Sequence, residues 1–127
     1  MYEPIRTRSV HSMADTAEYP HRSREEELDI QLAGHLSALL AVTDELSLDA
    51  AADRIATEVA RLRGAPPARH TALSGTGPEA LHRRAHALAG RALVVAASRA
   101  DTAVAILAAE RMDAHAASID AARLAVA

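Results

Sequence analysis

Several residue types are missing from this 127-residue chain, and each absence excludes a structure or a chemistry. There is no cysteine, which excludes disulfides, thiolate catalysis and cysteine-based zinc sites. There is no Phe or Trp, and Tyr2 and Tyr19 are the two tyrosines. A core must therefore be built from aliphatic side chains, and few aromatic rings are available for stacking on nucleobases.

Lysine and asparagine are also absent, and all fourteen basic residues are arginine, which is typical of codon usage in a GC-rich genome. Alanine supplies about a quarter of the chain. Alanine has the highest helix propensity because it loses no side-chain entropy on folding. It also buries little apolar area, so we expect closely packed helices whose stability benefits from oligomerisation.

Targeting signals are not evident in the sequence. No apolar segment of the kind found in secretory signals follows the early arginines. The most apolar stretch, 92–109, contains Arg99 and Asp101, and a bilayer would penalise both charges. We therefore predict a cytoplasmic protein with no membrane span.

The N-terminal residues 1–22 show no periodicity and contain Pro4 and Pro20. They are predicted to form an extended or flexible tail. Residues 23–127 carry helical periodicity and predict a single helical-bundle domain.

Two helices are predicted in the first half of this domain. Ser23 and Glu26 have the spacing of a capping box, and an apolar stripe follows, so the first helix should span about 24–45. Ser47 is the predicted N-cap of a second helix over about 48–63, and Gly64 is its predicted end. The short break between the two helices predicts an antiparallel hairpin.

After a loop at 64–77, Thr76 is the predicted N-cap of a third helix, with Pro78 in its first turn and Glu79 completing a second capping box. The apolar pattern continues without proline and predicts one helix over about 78–113. In the alternative, the helix breaks near Arg99 and Asp101 caps a fourth. The fold class is thus an all-α bundle of three helices, or four with the break.

A continuous third helix would be longer than the hairpin that covers it. Its segments 92–95 and 103–109 are apolar almost all round, and such surfaces require burial on several sides. A symmetric homodimer would cover the excess, with these candidate interface residues: Leu93, Val95, Ile106 and Leu107. In the alternative, the helix breaks and the chain forms a self-contained four-helix bundle.

Charge is segregated along the chain. Residues 25–58 carry nine acids against Arg54, whereas residues 59–91 carry six arginines against Glu79. The candidate anion-binding residues within this Arg block, 61–91, are Arg61, Arg63, Arg83 and Arg84. The favoured interpretation is that the acidic hairpin and the basic block complement each other, so nucleic-acid binding is not expected.

One E-x-x-H element, Glu79 with His82, and a second histidine, His86, share a helix face and are weak candidates for a metal site. Di-metal sites in helical bundles use two such elements, and the neighbouring Arg83 and Arg84 would repel a cation. No cofactor is therefore predicted, and no spacing typical of a catalytic nucleophile and base is found.

These observations predict a non-catalytic, homodimeric protein–protein interaction or regulatory module, and they give no reason to predict an enzyme. Two alternatives stay open: a bundle that senses a metal or another small ligand, and a nucleic-acid accessory protein that uses the Arg block 61–91. The identity of a protein partner does not follow from the sequence.

Overall fold

The structure, a computed structural model, describes residues 22–70 and 75–126. Within these ranges there are no strands, and the chain forms α1 (Arg24–Glu45), α2 (Asp49–Arg63), α3 (Pro78–Arg99) and α4 (Thr102–Val126). The predicted all-α bundle is therefore confirmed. The predicted tail lies outside the described residues except for Arg22. No helix in the described ranges has both the length and the apolar character needed to cross a bilayer.

The first helix begins at the predicted capping box. The Ser23 hydroxyl accepts a hydrogen bond from the Glu26 backbone N–H at 3.1 Å, and the Glu26 carboxylate accepts one from the Ser23 N–H at 2.8 Å. Two N–H groups that the helix itself cannot satisfy are paired in this way. The boundary predicted at residue 24 is confirmed.

The turn between α1 and α2 differs from the prediction. Ser47 has a φ of 58°, and its N–H bonds to the Asp44 carbonyl while the Leu48 N–H bonds to the Thr43 carbonyl. This is a Schellman ending of α1. Because Ser47 ends one helix, it cannot cap the next; Leu48 holds the N-cap position of α2 with no side-chain hydrogen bond.

The other predicted helix ends divide into one success and one error. Gly64 adopts a φ of 77° and its N–H bonds to the Ala60 carbonyl, as predicted for a glycine that follows a helix. The N-cap of α3, however, is Gly77 and not Thr76, and it has no side-chain cap bond. The predicted second capping box is therefore wrong.

A break after Arg99 replaces the predicted continuous helix. Ala100 has a φ of 59°, and the Asp101 N–H bonds back to the Ala96 carbonyl at 2.9 Å. Asp101 Oδ1 then accepts from the Val104 N–H at 3.2 Å and caps α4. A single helix over 78–113 is wrong and the four-helix alternative is confirmed, with the last helix continuing to Val126.

Ala100 lies in a backbone region that disfavours a residue with a Cβ. Ala100→Gly should therefore raise the free energy of unfolding by about 0.5–1 kcal/mol, measured by urea denaturation. Ala87→Gly, on the exposed surface in the middle of α3, is the control and should lower it by about 1 kcal/mol. Equal losses for both variants would contradict the role assigned to Ala100.

The four helices share one core of leucine and alanine. α1 packs against both α2 and α3, α4 packs chiefly against α3, and α2 and α4 meet at few points. The large side chains of the core come mainly from α1, where Leu32, Leu36 and Leu39 are fully buried. α3 contributes small side chains at helical spacing, which allows close helix approach: Ala85, Ala89, Ala92 and Ala96.

Candidate functional site

An exposed apolar surface lies where α3 turns into α4. Val94 and Ile106 are large apolar side chains that remain 67% and 54% exposed. Ile106 borders a groove of about 390 Å³, and Val94 lies one helical turn from the groove residue Ala97. We call Val94 and the groove lining the corner face; the lining consists of Ala96, Ala97, Ala100, Asp101, Thr102, Ala105, Ile106 and Ala109.

The four candidate interface residues separate into two groups. Val95 and Leu107 are buried within the single chain, and Leu93 is half-buried against the same core. Ile106 is exposed on the corner face. The break in the helix also removes the excess length on which the dimer prediction rested. A dimer would therefore need a different exposed apolar surface, and the corner face is one.

The exposure of Val94 was not predicted from the sequence, because it depends on the phase of the helix. The apolar stripe of α3 passes through Ala92 and Val95, which places Val94 away from the core. The signal was present: Val94 is an apolar residue off the stripe, in a segment that is apolar almost all round. Such a residue either lies exposed on the protein surface or packs against a binding partner.

A group of polar side chains, separate from the corner face, lies between α3 and α4. His115 is 0% exposed, and its Nδ1 is 2.8 Å from Nδ1 of the half-buried His82. The two rings are tilted at 50° with centroids 5.1 Å apart. Arg111 Nη2 is 3.4 Å from Nε2 of His115, and the buried Arg111 Nε has no hydrogen-bond partner. We call His82, His115 and Arg111 the histidine cluster.

The surroundings of the histidine cluster disfavour positive charge. Burial, followed by repulsion from Arg111, lowers the pKa of His115 to about 4. The same two causes, in the same order, lower the pKa of His82. Both rings are therefore neutral at pH 7.

The residues considered for a metal site have other partners. Glu79 pairs with Arg83, whose Nη2 is 2.8 Å from Oε2 of the carboxylate, and His82 contacts His115 and not Glu79. His86 is half-buried beside a separate shallow groove that Arg83 and Arg123 also line. In the part of the chain that the structure describes, no group of three or more His, Asp or Glu side chains could hold a metal ion.

Half of the arginines in the basic block form ion pairs with acids of the same chain. The candidate anion-binding residues Arg63 and Arg84 are exposed, but Arg61 and Arg83 are engaged. The ion pairs that hold arginines in and next to the block are Arg61 with Glu58 and Asp101, Arg69 with Asp44 and Asp53, Arg83 with Glu79, and Arg99 with Asp29. This pairing favours the interpretation that the two charged segments complement each other.

One of these pairs holds the loop after α2. Arg69 binds Asp44 through two bonds of 2.8 and 3.0 Å, and the His70 N–H donates to the same carboxylate at 3.0 Å. The hydrogen bond from Arg69 lowers the pKa of Asp44 despite burial, which acts in the opposite direction. Arg69 therefore acts as a structural clamp between the loop and the end of α1.

The chain matches no known protein family, no curated protein and no solved structure. What the protein does must therefore follow from its own residues.

Proposed function

We propose that this protein is a non-catalytic interaction module of the cytoplasm that forms a symmetric homodimer through its corner face. The observation that supports the proposal most directly is the exposure of Val94 and Ile106 beside a groove lined mostly by alanine. Removing large apolar side chains from water lowers the free energy of the system. Exposed apolar side chains beside an apolar groove are typical of a contact surface.

The shape of the corner face suits a second copy of the same chain. A twofold interface uses one patch on both subunits, so the patch must contain both a projection and a hollow to receive it. Val94 and Ile106 provide projections, and the small side chains of Ala97, Ala105 and Ala109 provide the hollow. Val94 and Ile106 of each subunit can then lie in the groove of the other.

The charge of the corner face is compatible with such pairing. Asp101 is the charged residue of the groove lining, and its carboxylate already accepts from Arg61 Nη2 at 2.8 Å and caps α4. Its side chain is only 12% exposed. Two copies can therefore meet at this face without bringing unpaired like charges together, and we expect little dependence of dimerisation on salt.

Ile106→Asp is predicted to raise the Kd of the dimer by roughly 100-fold or more. Each Ile that loses its burial costs about 1.5 kcal/mol or more, and a twofold interface counts the loss twice. The measurement is sedimentation equilibrium across a concentration series.

Leu124→Asp is the matched control, because Leu124 is 77% exposed on α4 but lies away from the corner face. It should leave the Kd unchanged, and circular dichroism should show that both variants remain helical. A wild-type protein that stays monomeric at high concentration, or equal weakening by both variants, would refute the proposed interface.

A further inference from the structure

The donors and acceptors of the histidine cluster fix where its protons lie. An arginine side chain can only donate hydrogen bonds, so Nε2 of His115 accepts from Arg111. The neutral His115 ring therefore carries its proton on Nδ1. That proton is donated across the 2.8 Å contact to Nδ1 of His82, which leaves the proton of His82 on Nε2. A directed chain runs from Arg111 through His115 to His82.

One additional proton breaks this chain. If His82 gains a proton on Nδ1, two N–H groups face each other across the contact between α3 and α4. If the His115 proton moves to Nε2 to avoid this, it faces the guanidinium of Arg111. In either arrangement a hydrogen bond is replaced by repulsion, and a second positive charge enters a buried site.

The charges around the cluster add to this effect. His86 on α3, like Arg111, lowers the pKa of His115. Burial, followed by repulsion from Arg54 on α2, lowers the pKa of Arg111. Glu110 on α4 acts in the opposite direction and raises the pKa of Arg111, but its carboxylate is already bound by Arg54 at 2.8 Å. The cluster is therefore poorly placed to accept a proton without moving.

We propose that the histidine cluster is an acid-sensitive latch, in which protonation of the His82–His115 pair releases the first half of α3 from the second half of α4. Near neutral pH the latch is closed, with both rings neutral. On acidification the released segments take up the proton in solvent, while the α1–α2 hairpin keeps its own packing.

The direction of the pH dependence follows from linkage. The folded His115 binds a proton less readily than the unfolded chain does. Its contribution to stability is therefore fully present above pH 6.5 and is lost as the pH falls towards about 4. For this ring alone, the folding equilibrium constant should fall roughly fiftyfold between pH 7 and pH 4.5.

The test compares the full-length wild type with the double variant His82→Leu and His115→Leu, using urea denaturation at both pH values. The carboxylates titrate in both proteins, so their contribution cancels in the comparison. Between pH 7 and pH 4.5, we expect the folding equilibrium constant of the wild type to fall by a factor roughly fiftyfold larger than that of the double variant. Equal losses in the two proteins would overturn the latch.

Two measurements on the wild type test the proposal independently of whether the double variant folds. Ring ¹⁵N spectra at pH 7 should show the proton of His115 on Nδ1 and that of His82 on Nε2; the opposite assignment, or titration of both rings near pH 6.5 in the folded protein, would refute it. Amide-exchange protection should fall first around residues 82 and 115 on acidification. A uniform fall across all four helices would refute a local latch.

Discussion

Leu36→Ala is expected to lower the free energy of unfolding by about 3 kcal/mol, within the range of about 2–5 kcal/mol found when buried leucines are truncated. Leu36 is 0% exposed at the centre of α1, the helix that packs against both α2 and α3. A third of the buried residues in the core are alanine. Alanine side chains have no rotatable bonds with which to fill the cavity, so the site should relax little.

This loss is a large share of the total, because domains of this size are stable by only about 5–15 kcal/mol. Urea denaturation followed by circular dichroism measures it. Ile30→Ala on the same helix is the control: Ile30 is 48% exposed, and the variant should lose about 1 kcal/mol or less. If both variants lost the same amount, Leu36 would not have the central position assigned to it.

Asp101→Ala is expected to lower the free energy of unfolding by about 1.5 kcal/mol, since this side chain performs two functions. Its Oδ1 caps α4 through the Val104 N–H, a contribution of about 1 kcal/mol. Its Oδ2 binds Arg61 of α2. Arg61 is half-exposed, so that pair contributes about 0.5 kcal/mol.

Asp101→Asn separates the two functions, because asparagine can cap a helix but cannot form an ion pair. We expect it to lose less than half as much as Asp101→Ala, in urea denaturation at pH 7. Arg61→Gln should lose slightly more than Asp101→Asn, because it removes the ion pair with Glu58 as well as the one with Asp101. Equal losses for the alanine and asparagine variants would show that the cap contributes nothing.

The helix ends that sequence predicted correctly depend on local chemistry. Ser23 and Glu26 satisfy each other's N–H groups within one turn, and Gly64 reaches positive φ without steric cost. Neither feature requires a distant residue. The stripe of α1 was likewise predictable, because a leucine at every third or fourth position makes one face apolar wherever the helix packs.

The break at Ala100 could not be determined from local sequence. No glycine or proline marks it, and alanine favours continuation of a helix. It forms because folding α4 back onto α3 buries Val104 and Leu107, and this gain outweighs the cost of one alanine at positive φ. Ser47 shows the same competition, since the ending of α1 used the residue that local preference assigned to the start of α2.

The break also changed the phase of every residue after it. A continuous helix would place Ile106 on the apolar stripe and leave His115 as an ordinary helical residue. In the structure Ile106 is exposed and His115 is fully buried against His82. Sequence by itself determined the fold class, the first helix and the segregation of charge, because these follow from propensity, periodicity and composition. Tertiary structure decided the fourth helix, the corner face and the histidine cluster, because each depends on packing between segments far apart in the chain.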